Sequence, residues 1–259
     1  MDSVSDYKHD QSVSIPPRWE PSTVFRRVPS IAAESTSPYT QKRFHVLDLR
    51  VNERDMHEIT PLNAAQGPFY AGIDVGGTNT KIGLVDDFGR TVAYQSIPTA
   101  EEDGPADLIR RVSEAVARIR DEAGIGPRDL VAAGLGTPGP MDIPRGLILD
   151  PVNLPHWRNF PVRDELARVT GLPVSFTNDA NAAAYGEFWV GSGRQSESMI
   201  MLTLGTGVGG GIIVGGLVVE GVNSFGAECG HVIVDSRPDA RLCVWGGGRG
   251  ELEAYASAS

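Results

Sequence analysis

The chain has 259 residues, and 23 Lys and Arg against 33 Asp and Glu give a formal net charge of −10. That balance argues against a nucleic-acid surface, which needs a basic patch, and the pairs Arg26-Arg27 and Lys42-Arg43 read as solvated. No run approaches the ~18 apolar residues of a membrane span. The N-terminus MDSVSDYKHDQSV lacks a secretory pattern, and Cys229 and Cys243 are too few for a disulfide framework. A cytoplasmic location is expected, with no membrane or nucleic-acid partner.

Residues 1–67 are rich in Ser, Pro and charge without a sustained apolar period, which predicts a disordered leader. HVLDLRV at 45–51 alternates enough for one short strand, while Pro16, Pro17, Pro21, Pro29 and Pro38 argue against a helix-turn-helix. From Tyr70, AGIDVGG reads as a strand entering a glycine turn, KIGLVDD as its return and TVAYQSI as a third strand. Residues 105–122 predict a helix, with Pro105 in its first turn and Leu108, Ile109, Val112, Val116 and Ile119 on one face. DLVAAGLGTPGP is a buried-type strand ending in a Pro/Gly loop. Pro161–Thr170 is a short helix closed by Gly171, and PVSFTN is the next strand. DANAAAYGEFWVG opens a helix capped by Asn178 or Asp179. MIMLTLG is a strand, GIIVGGLVVEG a hairpin and HVIVD a further strand.

This alternation predicts an α/β fold. IDVGGTNTKIGLVDDFG and LTLGTGVGGGIIVGGLV share the order strand, small-residue loop, strand, turn, which predicts two related lobes facing a cleft. The boundaries read as residues 68–187 and 188–259, the second too thin to cover a sheet on both faces and therefore expected to be incomplete.

Gly205-x-Gly207-x-x-Gly210 matches the dinucleotide fingerprint literally, but that motif must open a helix and a strand-like segment follows it. An oxidoreductase reading rests on that match alone, and no GxxxxGK[ST] is present. The two glycine turns read instead as phosphate nests of backbone N–H groups, with Thr78, Thr203 and Thr206 as added hydroxyl donors. Asp74 beside such a nest would repel a phosphate unless a cation intervenes, which favours Mg²⁺ held through water. Asn178, Asp179 and Asn181 are more than a helix cap requires. They stand where a strand ends and a helix begins, the ligand edge of α/β sheets, and an Asp there could accept a proton from a substrate hydroxyl. With Glu228, His231 and Glu253 they form a polar set suited to a sugar or polyol.

Together IDVGGTNTKIGLVD, GLGTPGP, NLPHW, TNDANAAAYGE, LTLGTGVGGG and GAECGH resemble the ROK family of repressors, uncharacterised reading frames and sugar kinases, which includes bacterial glucokinases. The likeness runs from about residue 69 to the end. It implies an actin-like, hexokinase-like (ribonuclease H-like) two-lobed α/β fold with ATP and sugar in the cleft, and ATP-dependent conversion of glucose to glucose 6-phosphate. By this resemblance Asp179 is the general base, while Asn178, Glu228, His231 and Glu253 hold sugar hydroxyls beside the Pro138-Gly139 loop. Asp74, Gly76, Gly77, Thr78, Lys81, Gly205, Thr206 and Gly207 would handle the ATP phosphates and Mg²⁺. Mannose, fructose and N-acetylated sugars remain open as substrates, polyphosphate as donor, a non-catalytic sugar-binding or regulatory role as alternative, and a homodimer as assembly.

The family's structural zinc uses one His and three Cys. Here His231 and Cys243 remain, but Trp245 and Glu251 stand at the other two cysteine positions and the loop has one extra residue. Two ligands cannot close a tetrahedral site, so zinc is expected to be absent, with Cys229 or Glu251 as the only candidate substitutes. The resemblance also implies an adenosine-binding segment and a returning helix beyond Ser259, so the chain is expected to be C-terminally truncated.

Overall fold

A computed structural model of the chain describes residues 59–222, 224–244 and 248–258. The strand expected at 45–51 and most of the expected leader lie outside the described residues. The last part of that leader, residues 59–67, is held to the sheet by Thr60 N–H donating to Thr91 O (2.7 Å) and Gln66 N–H to Asp86 Oδ2 (3.1 Å).

Strands β1 (Phe69–Val75), β2 (Asn79–Val85) and β3 (Thr91–Pro98) form an antiparallel meander. Helix α1 (Pro105–Glu122), strand β4 (Leu130–Thr137), the small ribbon β5 (Met141–Asp142) and β6 (Leu147–Ile148), helix α2 (Val162–Thr170) and strand β7 (Val174–Asn178) follow. The sheet order is β3-β2-β1-β4-β7, with β4 parallel to both β1 and β7. Register explains its two faces, because side chains alternate along each strand. Ile82, Ile73, Leu135 and Phe176 lie in one cross-strand row, all buried. That row belongs to the core built with Leu108, Ile109, Val112 and Val116 of α1 and Leu166 of α2. Ser113 Oγ donates to Val169 O (3.1 Å), tying the two helices together. The rows on the opposite face are Gly83-Gly72-Gly134-Ser175 and Lys81-Asp74-Gly136-Thr177, small or polar throughout.

Helix α3 (Asp179–Trp189) leaves β7 without a linker and packs on a second, three-stranded sheet of β8 (Met199–Leu204), β9 (Val208–Val214) and β10 (Leu217–Val218), in the order β10-β9-β8. Gly209 and Gly211 of β9 make this contact possible. A Cβ on Gly211 would collide with Ala184, and one on Gly209 would lie 3.0 Å from the Ala180 Cβ. The other face of this sheet carries exposed Ile200, Leu202 and Leu204. The hairpin turn Gly215-Gly216 has φ of +57° and +81°, as a two-residue β-hairpin demands.

One expected strand does not form. HVIVD makes only an isolated bridge, Ile233 to Glu251, and Val232, Ile233 and Val234 are all about half exposed. β-branched residues favour a strand only when a neighbouring strand and a packing face receive them, and here a short tail segment supplies one bridge. The last helix, α4 (Glu253–Ala256), is a single turn.

Because α3 meets β9 through glycine, Gly211→Ala should destabilise the chain by ~1–3 kcal/mol, the usual cost of overpacking. Gly134→Ala, whose Cβ meets nothing within 4 Å, should stay within ~0.5 kcal/mol. Urea unfolding of both variants tests the contrast.

Candidate active site

The polar row of the five-stranded sheet positions the first group. Asp74 on β1 is flanked by Lys81 and Gly136, and Lys81 Nζ lies 3.8 Å from Asp74 Oδ2 with both side chains more than half exposed. A pair so exposed adds little stability. Gly136 lets α3 approach: a Cβ there would lie 3.4 Å from the Asp179 Cα. The carboxyl ends of β1, β4 and β7 therefore bring Asp74 and Asp179 to one edge.

Asn178 is the N-cap of α3, its Oδ1 accepting from Ala180 N–H (2.9 Å) and Asn181 N–H (3.3 Å), so its amide nitrogen alone is left to donate to a ligand. Asp179 Oδ1 also accepts from Ala180 N–H (2.8 Å). Desolvation raises the Asp179 carboxyl above its ordinary value, the Ala180 N–H opposes this, and the negative charges of Asp74 and Glu228 raise it further. Asp179 keeps solvent access at its outer surface while protein crowds its other sides, so the desolvation is partial. Asp179 thus feels the charges of Asp74 and Glu228. Among the described residues, however, no three His, Cys, Asp or Glu side chains converge to ligand distance.

The two glycine turns differ. At the first, Gly76 N–H donates to Asn79 O (3.0 Å), and a Cβ on Gly76 would lie 2.8 Å from that oxygen, so only glycine fits. Thr99 braces the turn, its Oγ1 donating to Gly76 O (2.6 Å) and its N–H to Thr78 O (2.9 Å). Gly77 and Thr78 are exposed and their N–H groups donate to no described residue. At the second turn, Gly205 N–H donates to Gly207 O (3.0 Å) and Val208 N–H to Glu253 Oε2 (2.7 Å), so two of these amides are already used. Gly205 and Thr206 are exposed, and nothing crowds Gly205. The loop that follows β4 reaches the first turn: Gly139 is in contact with Pro151, and Asn153 sits beside Gly77. Asn153 carries no role in the sequence reading, yet it is exposed and next to the first turn, on a loop pinned by buried Leu154 and Trp157.

The third group lies in residues 226–258. Glu228 and His231 are exposed and flank a short 3-10 turn, Cys229–His231. Glu253 is buried, and its two oxygens accept from Val208 N–H and from the Cys243 thiol (3.1 Å). It is therefore bound to the second glycine turn and not directed to the open edge that Asp179 and Glu228 share. His231 Nδ1 lies 3.0 Å from Glu251 Oε2. That hydrogen bond raises the His231 pKa, burial opposes it, and the charges of Glu251, Glu228 and Glu253 reinforce it. Zinc does not fit these residues. Cys243 is engaged by Glu253 and by Glu251, His231 by Glu251, and burial together with the Glu228 charge raises the Cys229 thiol pKa, so the one His and three thiolates of a structural site are not offered.

A raised aspartate is a stability statement with a definite sign. Folding favours the protonated form of Asp179, so its ionisation opposes folding at neutral pH and ceases to do so below the unfolded value, near 3.9. Asp179→Asn should raise the melting temperature at pH 7, and the gain should fade as the pH drops towards 4.

The chain is similar to several known proteins. The ROK family model matches residues 70–259. The glucokinase of Thermotoga maritima is 40% identical over 188 residues, 73% of this chain and 57% of its own length. A ROK hexokinase structure from Thermus thermophilus superposes with a TM-score of 0.63 at 39% identity, covering 73% of this chain and 60% of that one. A ROK glucokinase from Streptomyces griseus, solved with glucose and AMPPNP, gives 0.61 at 37% identity, covering 73% and 57%. The chain therefore spans somewhat more than half the length of these relatives. Among its described residues no helix is long and apolar enough to cross a membrane. The fold is the hexokinase-like α/β architecture of these neighbours, and the chain belongs to the ROK family.

Proposed function

We propose that this chain belongs to an ATP-dependent hexose kinase that converts glucose to glucose 6-phosphate, with residues 68–187 as one lobe and residues from 188 on in a second. The observation that carries the reading is Asp179, a carboxylate at the first turn of α3 with its pKa raised by desolvation and by Asp74 and Glu228. A base poised above the ordinary aspartate range is suited to accept a hydroxyl proton. The Streptomyces griseus relative was solved with glucose and AMPPNP together, which supports both substrates.

In this reading the Asn178 amide, Glu228 and His231 hold the sugar hydroxyls from two sides, and Pro138-Gly139 closes the third. Asp179 takes the proton of the attacking hydroxyl, whose oxygen bonds to the γ-phosphorus as the bond to ADP breaks. Gly77 and Thr78 present their N–H groups to the phosphates, and exposed Gly205-Thr206 faces them from the second turn. Lys81 stands beside Asp74 and adds positive charge. Asp74 would hold a magnesium ion through water, since no described cluster offers three direct protein ligands, and the ion would supply positive charge against the phosphates. Most of the rate advantage in phosphoryl transfer comes from such positioning and charge compensation.

Asp179→Asn should lower kcat for ATP-dependent glucose phosphorylation by about 10²- to 10⁴-fold while calorimetric glucose binding is retained. Glucose binding without any phosphorylation by the unmutated chain would sink the kinase reading for this chain. The acid limb of kcat/KM should lie above the ordinary aspartate range. Glu228→Gln removes one like charge and should move that limb to lower pH.

A further inference from the structure

Glu251 stands where the family resemblance puts a zinc-ligating cysteine, and its carboxylate accepts a hydrogen bond from the imidazole expected to be another ligand. The backbone around it is built to hold that pair. Ile233 and Glu251 form an antiparallel bridge, and Leu252 N–H donates to Val232 O (2.9 Å). Val234 N–H (2.8 Å) and Asp235 N–H (3.1 Å) both donate to Gly250 O, and Gly250 N–H donates to Arg241 O (2.8 Å). Gly248 clears the space that the Glu251 carboxylate fills, because a Cβ there would overlap its Oε1. Glu253, two residues on, joins Cys243 to Val208, so the other remaining zinc-type residue is engaged by a carboxylate as well.

We propose that this chain replaces the structural metal by a carboxylate clasp, in which Glu251 is the positioning residue that holds the His231 ring through Nδ1 and leaves Nε2 to face a sugar hydroxyl. The role of His231 towards sugar rests on the kinase reading above; the clasp itself does not. A carboxylate on one ring nitrogen fixes the tautomer and orientation of an imidazole, as a metal bound to that nitrogen would. Glu253 completes the device by tying the same segment to the second glycine turn. The consequence is a sugar site that needs no zinc.

The test uses the full 259-residue chain, purified from zinc-supplemented medium. Expected are substoichiometric zinc by elemental analysis and a melting temperature and glucose affinity unmoved by a chelator. Glu251→Leu removes the acceptor and should weaken glucose binding about 10-fold or more, with near-ultraviolet circular dichroism unchanged, while Glu251→Gln keeps an acceptor and should restore most of the affinity. Glucose binding by Glu251→Leu equal to the unmutated chain would overturn the proposal. So would one equivalent of zinc whose removal lowers the melting temperature. If the unmutated chain binds no hexose, the kinase reading fails on its own and ¹⁵N spectra of the His231 ring decide the clasp. An Nδ1 proton that is protected from exchange, lost in Glu251→Leu and kept in Glu251→Gln, supports it. A His231 ring without such a proton in the unmutated chain overturns it, whether or not Glu251→Leu folds.

Discussion

The close contact between α3 and β9 is the constraint on which the rest depends. Ala180 and Ala184 on the helix face Gly209 and Gly211 on the strand, and no side chain larger than hydrogen fits at Gly211 without displacement. Interiors are packed near crystal density, so such a contact sets a distance that neighbouring groups inherit. Asp179 begins the helix and the Gly205–Gly207 turn precedes the strand, so the Asp179 carboxylate and the second glycine turn are fixed to the two sides of one interface. Gly136 performs the same service on the other flank, admitting α3 to the end of β4. Three glycines without any chemistry of their own therefore place the groups that have it.

A second layer of constraint runs through the tail. The described residues between 226 and 258 contain little regular structure, yet several of their backbone groups are paired: Gly250 O accepts twice, Leu252 donates to Val232, and Ala258 N–H donates to Gly205 O (2.8 Å). Asp235 is held well below its ordinary pKa by Arg237 first and by the Tyr255 hydroxyl second, which pins the single turn of α4 from outside. An isolated helix of that length would not persist in water. It persists as part of a bonded loop whose centre is the pair of carboxylates Glu251 and Glu253.

Much of this was legible in the sequence where a period or a cap carried it. The 105–122 helix, the helix closed by Gly171 and the strands entering each glycine turn follow from apolar spacing and from turn residues whose backbone demands are specific. HVIVD misled because β-branched composition reports a preference for a sheet and not the presence of one. The glycine run LGTGVGGG was harder, since one composition serves two purposes. Gly205 lies open, whereas Gly209, Gly210 and Gly211 are required by Thr203 and Ala180, by Ala227 and Cys229, and by Ala184. A sequence gives no means of separating a glycine that receives a ligand from one that receives a helix. Glu253 shows the same limit: its residue type suits a sugar, while the fold spends both its oxygens on a backbone amide and a thiol.

The electrostatics of the open edge point in one direction. Asp74, Asp179 and Glu228 are like charges in an already acidic chain, and folding alone gains nothing from gathering them. Contrast Asp86, buried to 0% exposure, where burial would raise the carboxyl but Arg90 and three backbone N–H groups outweigh it and hold it low. That is how this chain treats a carboxylate it needs for structure: it surrounds it with donors. The charged form of Asp179 is favoured only by the backbone N–H groups of Ala180 and of Asp179 itself, Asn178 is spent on the cap, and the outer side of Asp179 is open to solvent and to any ligand at this edge. A hydroxyl proton or a cation carried by a phosphate ligand would offset its charge there. A group left under-compensated at a sheet edge, beside two turns with exposed backbone, is placed where its cost falls when substrates arrive, which is the condition for differential binding to favour a reaction.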